Sequence, residues 1–386
     1  MEKSGFPGYR RPDNQVGTRN FLGIIAAMDN ANPVVRTLSR LLYGSLAVCP
    51  GFGRGQMGED FKLHRRSVIG LGSNPNLGAC LVISLEPDSA AEIAEGIRKT
   101  GKRAETLSLQ DDGGFIGVLA KGLEIGQELI LQITRQQREI CYFSDLVLGV
   151  ECGGSDATSG ISANPAAGMV SDWIVEQGGT VIMSEPTEWI GAEHILVRRA
   201  KDEIVAAAIQ KCAGKYISIA QEQGLELLKN NPTLDNIAGG LSTIEDKALG
   251  AIRKGGSKTI EGVLAYGEKP EGKGLYLMDA PAAAVENLTA LAAGGANLML
   301  FCTGRSNPIG FSIVPTIKIS GNKKTIKNMS SDIDVDVSGI MGGTLTIESA
   351  QEKIIQRVVS VTAGQMTKNE ILRNCEISIS RIGQSI

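Results

Sequence analysis

A short apolar run, Leu146-Val-Leu-Gly-Val150, stops abruptly at Glu-Cys-Gly-Gly-Ser-Asp-Ala-Thr-Ser-Gly-Ile-Ser-Ala-Asn (151–164), which is closed by Pro165. A continuous apolar run this short reads as a buried strand. Pro165 suits the first turn of a helix, and Asn164 is a candidate cap. Strand, glycine-rich polar loop and helix in succession is how an α/β protein exposes backbone to a ligand at the carboxyl end of a strand. The loop concentrates a thiol (Cys152), a carboxylate (Asp156) and three hydroxyls (Ser155, Thr158, Ser159). A loop that merely satisfies its own backbone would use the same residue types.

The rest of the chain repeats the pattern. Apolar runs recur at Phe21–Met28, Leu46–Cys49, Ala79–Leu85, Thr180–Met183, Gly274–Met278, Asn297–Cys302 and Ser312–Ile319. Helical stretches lie between them, among them Ser89–Thr100, Phe115–Glu139, Ile204–Cys212 and Ala282–Ala293. The alternation predicts an α/β fold of two lobes, with a boundary near Cys141. Residues 1–142 form a doubly wound, Rossmann-like, mostly parallel sheet, and residues 143–386 a second α/β lobe that carries the catalytic groups. The stretch 255–274, rich in Gly, Lys and Glu, reads as a surface connection.

Composition removes several classes of function. The 39 basic and 42 acidic residues nearly cancel and form no basic patch, which argues against a nucleic-acid surface. No apolar run reaches the ~18–20 residues of a membrane span. The N-terminus lacks an apolar leader core, so a cytoplasmic protein is expected. The seven cysteines show no Cys-x-x-Cys pair, and two histidines are too few for a histidine-rich metal centre. A metal must therefore be held by Cys, Asp, Glu, carbonyl or substrate oxygens.

Several polar segments sit at strand ends. Gly53-Arg-Gly-Gln-Met-Gly58 fits the dinucleotide pattern G-x-G-x-x-G, but the acidic residue expected about 20 positions on is missing at that distance. A loop that meets an oxyanion with backbone N–H groups and Arg54 fits better. Arginines crowd residues 8–20 ahead of the first strand. Ser184-Glu-Pro-Thr-Glu188 and Gly191-Ala-Glu-His194 follow the strand Thr180–Met183. Further on come Asn231–Lys247, Asp279 and Cys302-Thr-Gly-Arg-Ser-Asn307. Each alone suits a structural loop; together they point to a shared cleft.

In order, these segments are Gly-Tyr-x-Arg-x-Asp-x-x-Val-Gly-x-Arg-Asn, Asn74-Pro-Asn76, Cys-Gly-Gly-Ser-Asp with Ser-Gly-Ile-Ser-Ala-Asn-Pro, Ser-Glu-x-x-Glu with Gly-Ala-Glu-His, Ala-Gly-Gly-Leu-Ser-Thr-Ile-Glu-Asp-Lys, and Thr-Gly-Arg. The series resembles the altronate/galactarate dehydratase family from residue 8 to about residue 345. Phe52–Asp60, Ile83–Pro87, Ala282–Ala284 and Met329–Gly339 are most similar to the large (beta) subunits of its sulfolactate sulfo-lyase branch. The sequence departs from the dehydratase pattern at Pro50–Arg54, Ser73 and Ser84-Leu85, where those relatives tend to carry His and Cys, Cys, and Gly-Cys.

The resemblance implies loss of a proton alpha to a carboxylate and departure of a group from the beta carbon, hydroxide or sulfite. It implies a divalent metal, Fe²⁺ or Mn²⁺, and a small SAF-type subunit on a separate chain, with the large subunit a homo-oligomer acting on a small hydroxy acid. By resemblance and residue chemistry, Cys152, Asp156 and Glu86 are assigned to the metal or its surroundings. Glu185, Glu188 and His194 are candidates for acid and base. Arg19, Arg54, Ser155, Arg305 and Asn307 are expected to bind substrate. A nucleotide-dependent oxidoreductase and a binding paralogue without turnover stand as the other two classes.

Overall fold

The computed structural model describes every residue except 1–4, 226, 228–230, 384 and 386. Strand β1 (Gly5–Arg10) turns back on the two-residue β2 (Val16–Gly17). A parallel four-stranded sheet follows, built from β3 (Phe21–Ala26), β4 (Ser45–Val48), β5 (Leu77–Ser84) and β6 (Ala104–Ser108) in the order β4-β3-β5-β6. Helices Asn32–Leu41 and Gly114–Ile133 pack on one face and Gly58–Ser73 and Pro87–Arg98 on the other, so the sheet is doubly wound. Strand β7 (Glu139–Tyr142) then pairs antiparallel with β1.

The remaining strands form one parallel seven-stranded sheet. They are β8 (Val147–Cys152), β9 (Thr180–Met183), β10 (Ile260–Leu264), β11 (Gly274–Met278), β12 (Leu298–Cys302), β13 (Thr316–Ser320) and β14 (Val335–Asp336). Their order is β10-β11-β9-β8-β12-β13-β14. Successive strands spread to one side of β8 through β9, then the chain returns to its other side with β12. The reversal leaves a crevice at the carboxyl ends of β8 and β12, where open α/β sheets bind ligands.

Helices Asn164–Glu176 and Ile347–Thr362 contribute to the core on one face of this sheet. The other face shares a core with the first sheet: Met278, Leu291 and Phe301 cluster with Ile25, Val68 and Val82. Helix Ala284–Ala293 meets helix Gly58–Ser73 so closely that a Cβ on Gly70 would run into the carbonyl of Ala293. The C-terminal segment lies across the first lobe, with Ile377 and Ile379 in the same shared core. Among the described residues no helix is long and apolar enough to cross a membrane.

Four local expectations need correction. The stretch 255–274 is not only a surface connection, since it contains β10, an edge strand whose Gly262 and polar flanks hide its apolar alternation. The helix expected to reach Glu139 stops at Ile133, because residues 139–142 are taken up by β1 as a strand. Asn164 does not cap a helix: a π-turn, Ser159–Ala163, already carries helical backbone into it, and its side chain donates to the carbonyl of Gly250 at 3.0 Å. Cys152 is not a loop residue but the last residue of β8.

Candidate active site

Strand alternation splits Glu151 and Cys152 between the two faces of β8. Cys152 joins the core under helix Asn164–Glu176, and Glu151 accepts a hydrogen bond from Asn287 of helix Ala284–Ala293 on the opposite face. Beside β8, the chain leaves β9 through Ser184 into Glu185, which has φ +71°. A left-handed glutamate costs about 1–3 kcal/mol and persists only where its surroundings impose it. Here Glu185 N–H donates to Ala280 O at 3.2 Å, and Trp189 Nε1 donates to Ser184 O at 3.0 Å. The turn aims both Glu185 and Glu188 at the end of β8.

The result is a buried cluster of Cys152, Glu185, Glu188 and Lys254. Lys254 Nζ lies 2.7 Å from Glu185 Oε2, 3.0 Å from Cys152 Sγ and 3.5 Å from Glu188 Oε2. The Cys152 thiol donates to Glu188 Oε2 at 3.0 Å, and Cys152 N–H to Glu185 Oε2 at 3.2 Å. Lys247 Nζ reaches Glu188 Oε1 at 3.3 Å and Asn231 Oδ1 at 2.9 Å. Glu185 Oε1 is buried without a partner.

The environment separates the protonation states. Burial, with the Glu188 charge added, pushes the Glu185 carboxyl up to about 8. Burial would raise Glu188 as well, but the Lys247 and Lys254 ammoniums and the Cys152 thiol hold it below its ordinary value. Burial and the Glu188 charge keep Cys152 a thiol. Burial alone would depress Lys254; the thiol and two carboxylates around it outweigh that and raise it well above its ordinary range. Two carboxyls pushed apart in this way supply a proton donor and a proton acceptor side by side.

Cys152, Glu185 and Glu188 bring one sulfur and two carboxylate oxygens within 4.8 Å of one another, so the cluster could hold a metal ion. A cleft of about 730 Å³ opens beside it, with Ser155, Asp156, Asn164, Arg199 and Lys247 in its wall. Lys247 therefore belongs to the cleft and, through Glu188, to the cluster.

Other sequence candidates fall elsewhere. Asp156 is buried in its own loop: Oδ1 accepts from Thr158 N and Oγ1 and Ser159 N and Oγ at 2.6–3.2 Å, and Oδ2 from Asn322 Nδ2 at 2.7 Å. With its oxygens taken up in this way, Asp156 shapes the loop and is not in the metal-competent group. Glu86 belongs to the first lobe, where it caps helix Pro87–Arg98 by accepting from Ser89 N at 3.0 Å. His194 is exposed on the short helix Glu193–Val197.

Arg19 lies outside the cluster and is engaged in the fold. Its buried guanidinium grips Glu370 at 2.7 and 2.9 Å and donates to the carbonyls of Thr18, Val361 and Gln365. Replacing Arg19 with alanine should lower stability by about 3–5 kcal/mol, since Glu370 would be left buried without its partner. Chemical denaturation measures this, and an unchanged midpoint would contradict it.

Ser155 lines the cleft with an unpartnered buried hydroxyl. Gly304 and Arg305 donate backbone N–H groups to Gly154 O at 3.2 and 2.7 Å, stitching loop 303–307 onto loop 153–156. The Arg305 side chain pairs with Asp235 at 2.9 Å, and Asn307 Oδ1 accepts from Ile309 N at 3.2 Å. Arg54 lines a different cleft in the first lobe. Sequence reasoning missed Lys254, which sits in an unremarkable Arg-Lys-Gly-Gly stretch, and quoted Lys247 without giving it a role.

The family model described as D-galactarate/altronate dehydratase, C-terminal, matches residues 143–385, more than half of the chain. The chain belongs to this family. A second model, D-galactarate dehydratase/altronate hydrolase, second domain, matches residues 8–134 of this dehydratase-family member. The (2R)-sulfolactate sulfo-lyase subunit beta of Chromohalobacter salexigens is 36% identical over 389 residues, covering all of both chains. The altronate dehydratase of Bacillus subtilis is 31% identical over all of this chain and 79% of its own. The galactarate dehydratase (L-threo-forming) of Escherichia coli is 30% identical over 95% of this chain and 74% of its own. These relatives are lyases, and this member of the dehydratase family is a lyase chain.

Proposed function

We propose that the protein is the large subunit of a lyase that eliminates sulfite from sulfolactate, giving pyruvate. The observation that carries an elimination is the buried pair of carboxyls with opposed protonation, held by Lys254 at the crevice beside β8. The sulfonated substrate is favoured by the relative that matches over its full length.

Glu188, ionised between Lys247 and Lys254, is the base that takes the proton alpha to the carboxylate. Sulfite leaves the beta carbon with the electron pair of the C–S bond, and Glu185, which holds a proton at neutral pH, gives it to that carbon of the resulting enol and takes up the enol hydroxyl proton in exchange. Lys247 joins the cleft to Glu188 and meets the substrate carboxylate. Ser155 offers its unpartnered hydroxyl to the 2-hydroxyl, and the loop that carries Arg305 and Asn307 is bonded to Gly154 next to it. Trp189 and the surrounding core exclude water from the carboxyl pair.

The residues also fit a divalent ion. The borderline thiol and two carboxylates are the donor set of Fe²⁺ or Mn²⁺, and Glu185 Oε1 is a buried oxygen lacking a partner. Cys152, Glu185 and Glu188 would hold it, and bound there it would neutralise charge developing on the substrate carboxylate. Without the ion, Glu188 is the base and Glu185 the acid.

A separate small subunit completes the enzyme. One relative, similar over its full length, is named a subunit beta, which supports such a partner. Mixed with that subunit and Mn²⁺ or Fe²⁺, the protein should release equal amounts of sulfite and pyruvate from sulfolactate, read by thiol-exchange and lactate dehydrogenase assays. Turnover of altronate or galactarate without sulfite from sulfolactate would instead assign a sugar-acid hydro-lyase. Full activity after exhaustive chelation would remove the metal.

A further inference from the structure

The first sheet has a crevice of its own. Its order, β4-β3-β5-β6, reverses between β3 and β5, and the residues just past those strands, Met28 and Leu85-Glu86, line a cleft of about 260 Å³. Its lining residues are all different from those of the cleft beside the Cys152 cluster. The loop 53–58 forms its rim, with Gly53, Gly55 and Gly58 at φ +147°, +69° and +56°. Such backbone suits glycine and turns successive N–H groups to one side. Helix Gly58–Ser73 begins directly after the loop, and its N-cap residue, Met57, provides no side-chain acceptor. An uncapped helix start with a glycine loop ahead of it favours an anion.

The side chains point the same way. Both amide atoms of Gln56 are buried without a hydrogen-bond partner, although they line the cleft. Arg65 Nη1 is likewise buried and unpartnered, while Nη2 donates to Ser89 Oγ at 2.7 Å and Nε faces Glu92 at 3.4 Å. Arg54 is exposed on the rim and has no ion-pair or hydrogen-bond partner among the described residues. The nearby carboxylates are already engaged. Glu86 takes Ser89 N–H, and Asp60 takes the N–H groups of Ile382 and Gly383, each at 2.7 Å. Leaving a buried donor unpaired costs about 1–3 kcal/mol, and a ligand with several oxygens would supply the acceptors that Gln56 Nε2 and Arg65 Nη1 lack.

We propose that this first-lobe cleft is a second ligand site, which binds a small oxyanion with three equivalent oxygens through Arg54, Arg65, Gln56 and the N–H groups of loop 53–58. A sulfonate or sulfite and a phosphate share that chemistry. Arg54 offers a planar fork to two oxygens and the loop meets the third. The site stands whether or not the lyase reading holds, because it uses none of the residues of the Cys152 cluster.

Calorimetric titration of the full chain with methanesulfonate and, separately, with inorganic phosphate tests it. Saturable one-to-one binding is expected for at least one anion, and the anion that binds identifies the source. Arg54→Ala and Gln56→Leu should each weaken binding at least tenfold, and Arg54→Lys by less, while Cys152→Ser leaves it unchanged. Circular dichroism melts confirm folding; Arg54, exposed in a turn, is expected to be neutral there. Absence of saturable binding for both anions overturns the proposal. So do unchanged affinity in both Arg54→Ala and Gln56→Leu, and loss of binding in Cys152→Ser, which would put the anion at the other site.

Discussion

Replacing Lys254 with methionine should abolish turnover, with kcat falling at least ~10³-fold, while the protein loses about 3–5 kcal/mol of stability. Among the described residues, the ammonium is the one group that touches Cys152 Sγ, Glu185 Oε2 and Glu188 Oε2 together. Methionine retains the length and apolar stem but leaves the buried Glu188 charge with one ammonium, Lys247, and the Cys152 thiol. Glu188 must then gain a proton or draw in water, and either change removes the base. A stability loss by itself would lower the amount of folded enzyme, not the rate per folded molecule. Lys254→Arg separates the two, since it restores charge but not the geometry of a point donor between three acceptors. The arginine variant should fold more stably than the methionine variant and remain slow. Near-normal kcat in folded Lys254→Met would remove the cluster from the chemistry.

Asp156→Ala should cost about 3–5 kcal/mol and disorder the mouth of the cleft, through the loss of bonds to buried donors. The carboxylate gathers Thr158, Ser159 and Asn322, residues from two separate segments. A third segment is fitted to it, since a Cβ on Gly304 would collide with the Asp156 carboxyl. Loop 303–307 is tied in turn to Gly154. Removing this carboxylate should therefore raise KM and lower kcat together. Asp156→Asn retains one acceptor oxygen and should recover part of the stability. Hydrogen exchange of the amides at Thr158 and Ser159 reads the effect directly: rapid exchange in the alanine variant is expected, and protection equal to the parent protein would contradict the role.

The site candidates that lie outside the cluster share one feature. Asp156, Glu86 and Arg19 carry the right functional groups for ligands, and each is engaged in the fold: Glu86 caps its own helix at Ser89, while Asp156 and Arg19 hold neighbours far along the chain. Arg19 is committed to Glu370, 351 residues away, and Asp156 to Asn322, 166 away. Residue type and local spacing cannot distinguish a free carboxylate from one already saturated by donors. Glu185 and Glu188 were legible because they follow a clean apolar strand with a proline turn. Lys254 was not, because it lies 102 residues from Cys152 in a polar stretch without periodicity.

The sequence by itself determined the α/β class, most of the parallel strands, the glycine-rich polar loops at their carboxyl ends, and membership of the dehydratase family. These follow from local patterns: short apolar runs, 3.6-residue periodicity, turn residues, and the order of motifs along the chain. Tertiary structure alone decided which strand ends meet. The order β10-β11-β9-β8-β12 places Cys152, the Glu185–Glu188 turn and Lys254 together, and the reversal between β3 and β5 opens a separate cleft around Arg54. Strand order is a choice among crossovers with equal local propensity. It is settled by which faces can be buried against each other, and that is a property of the whole chain.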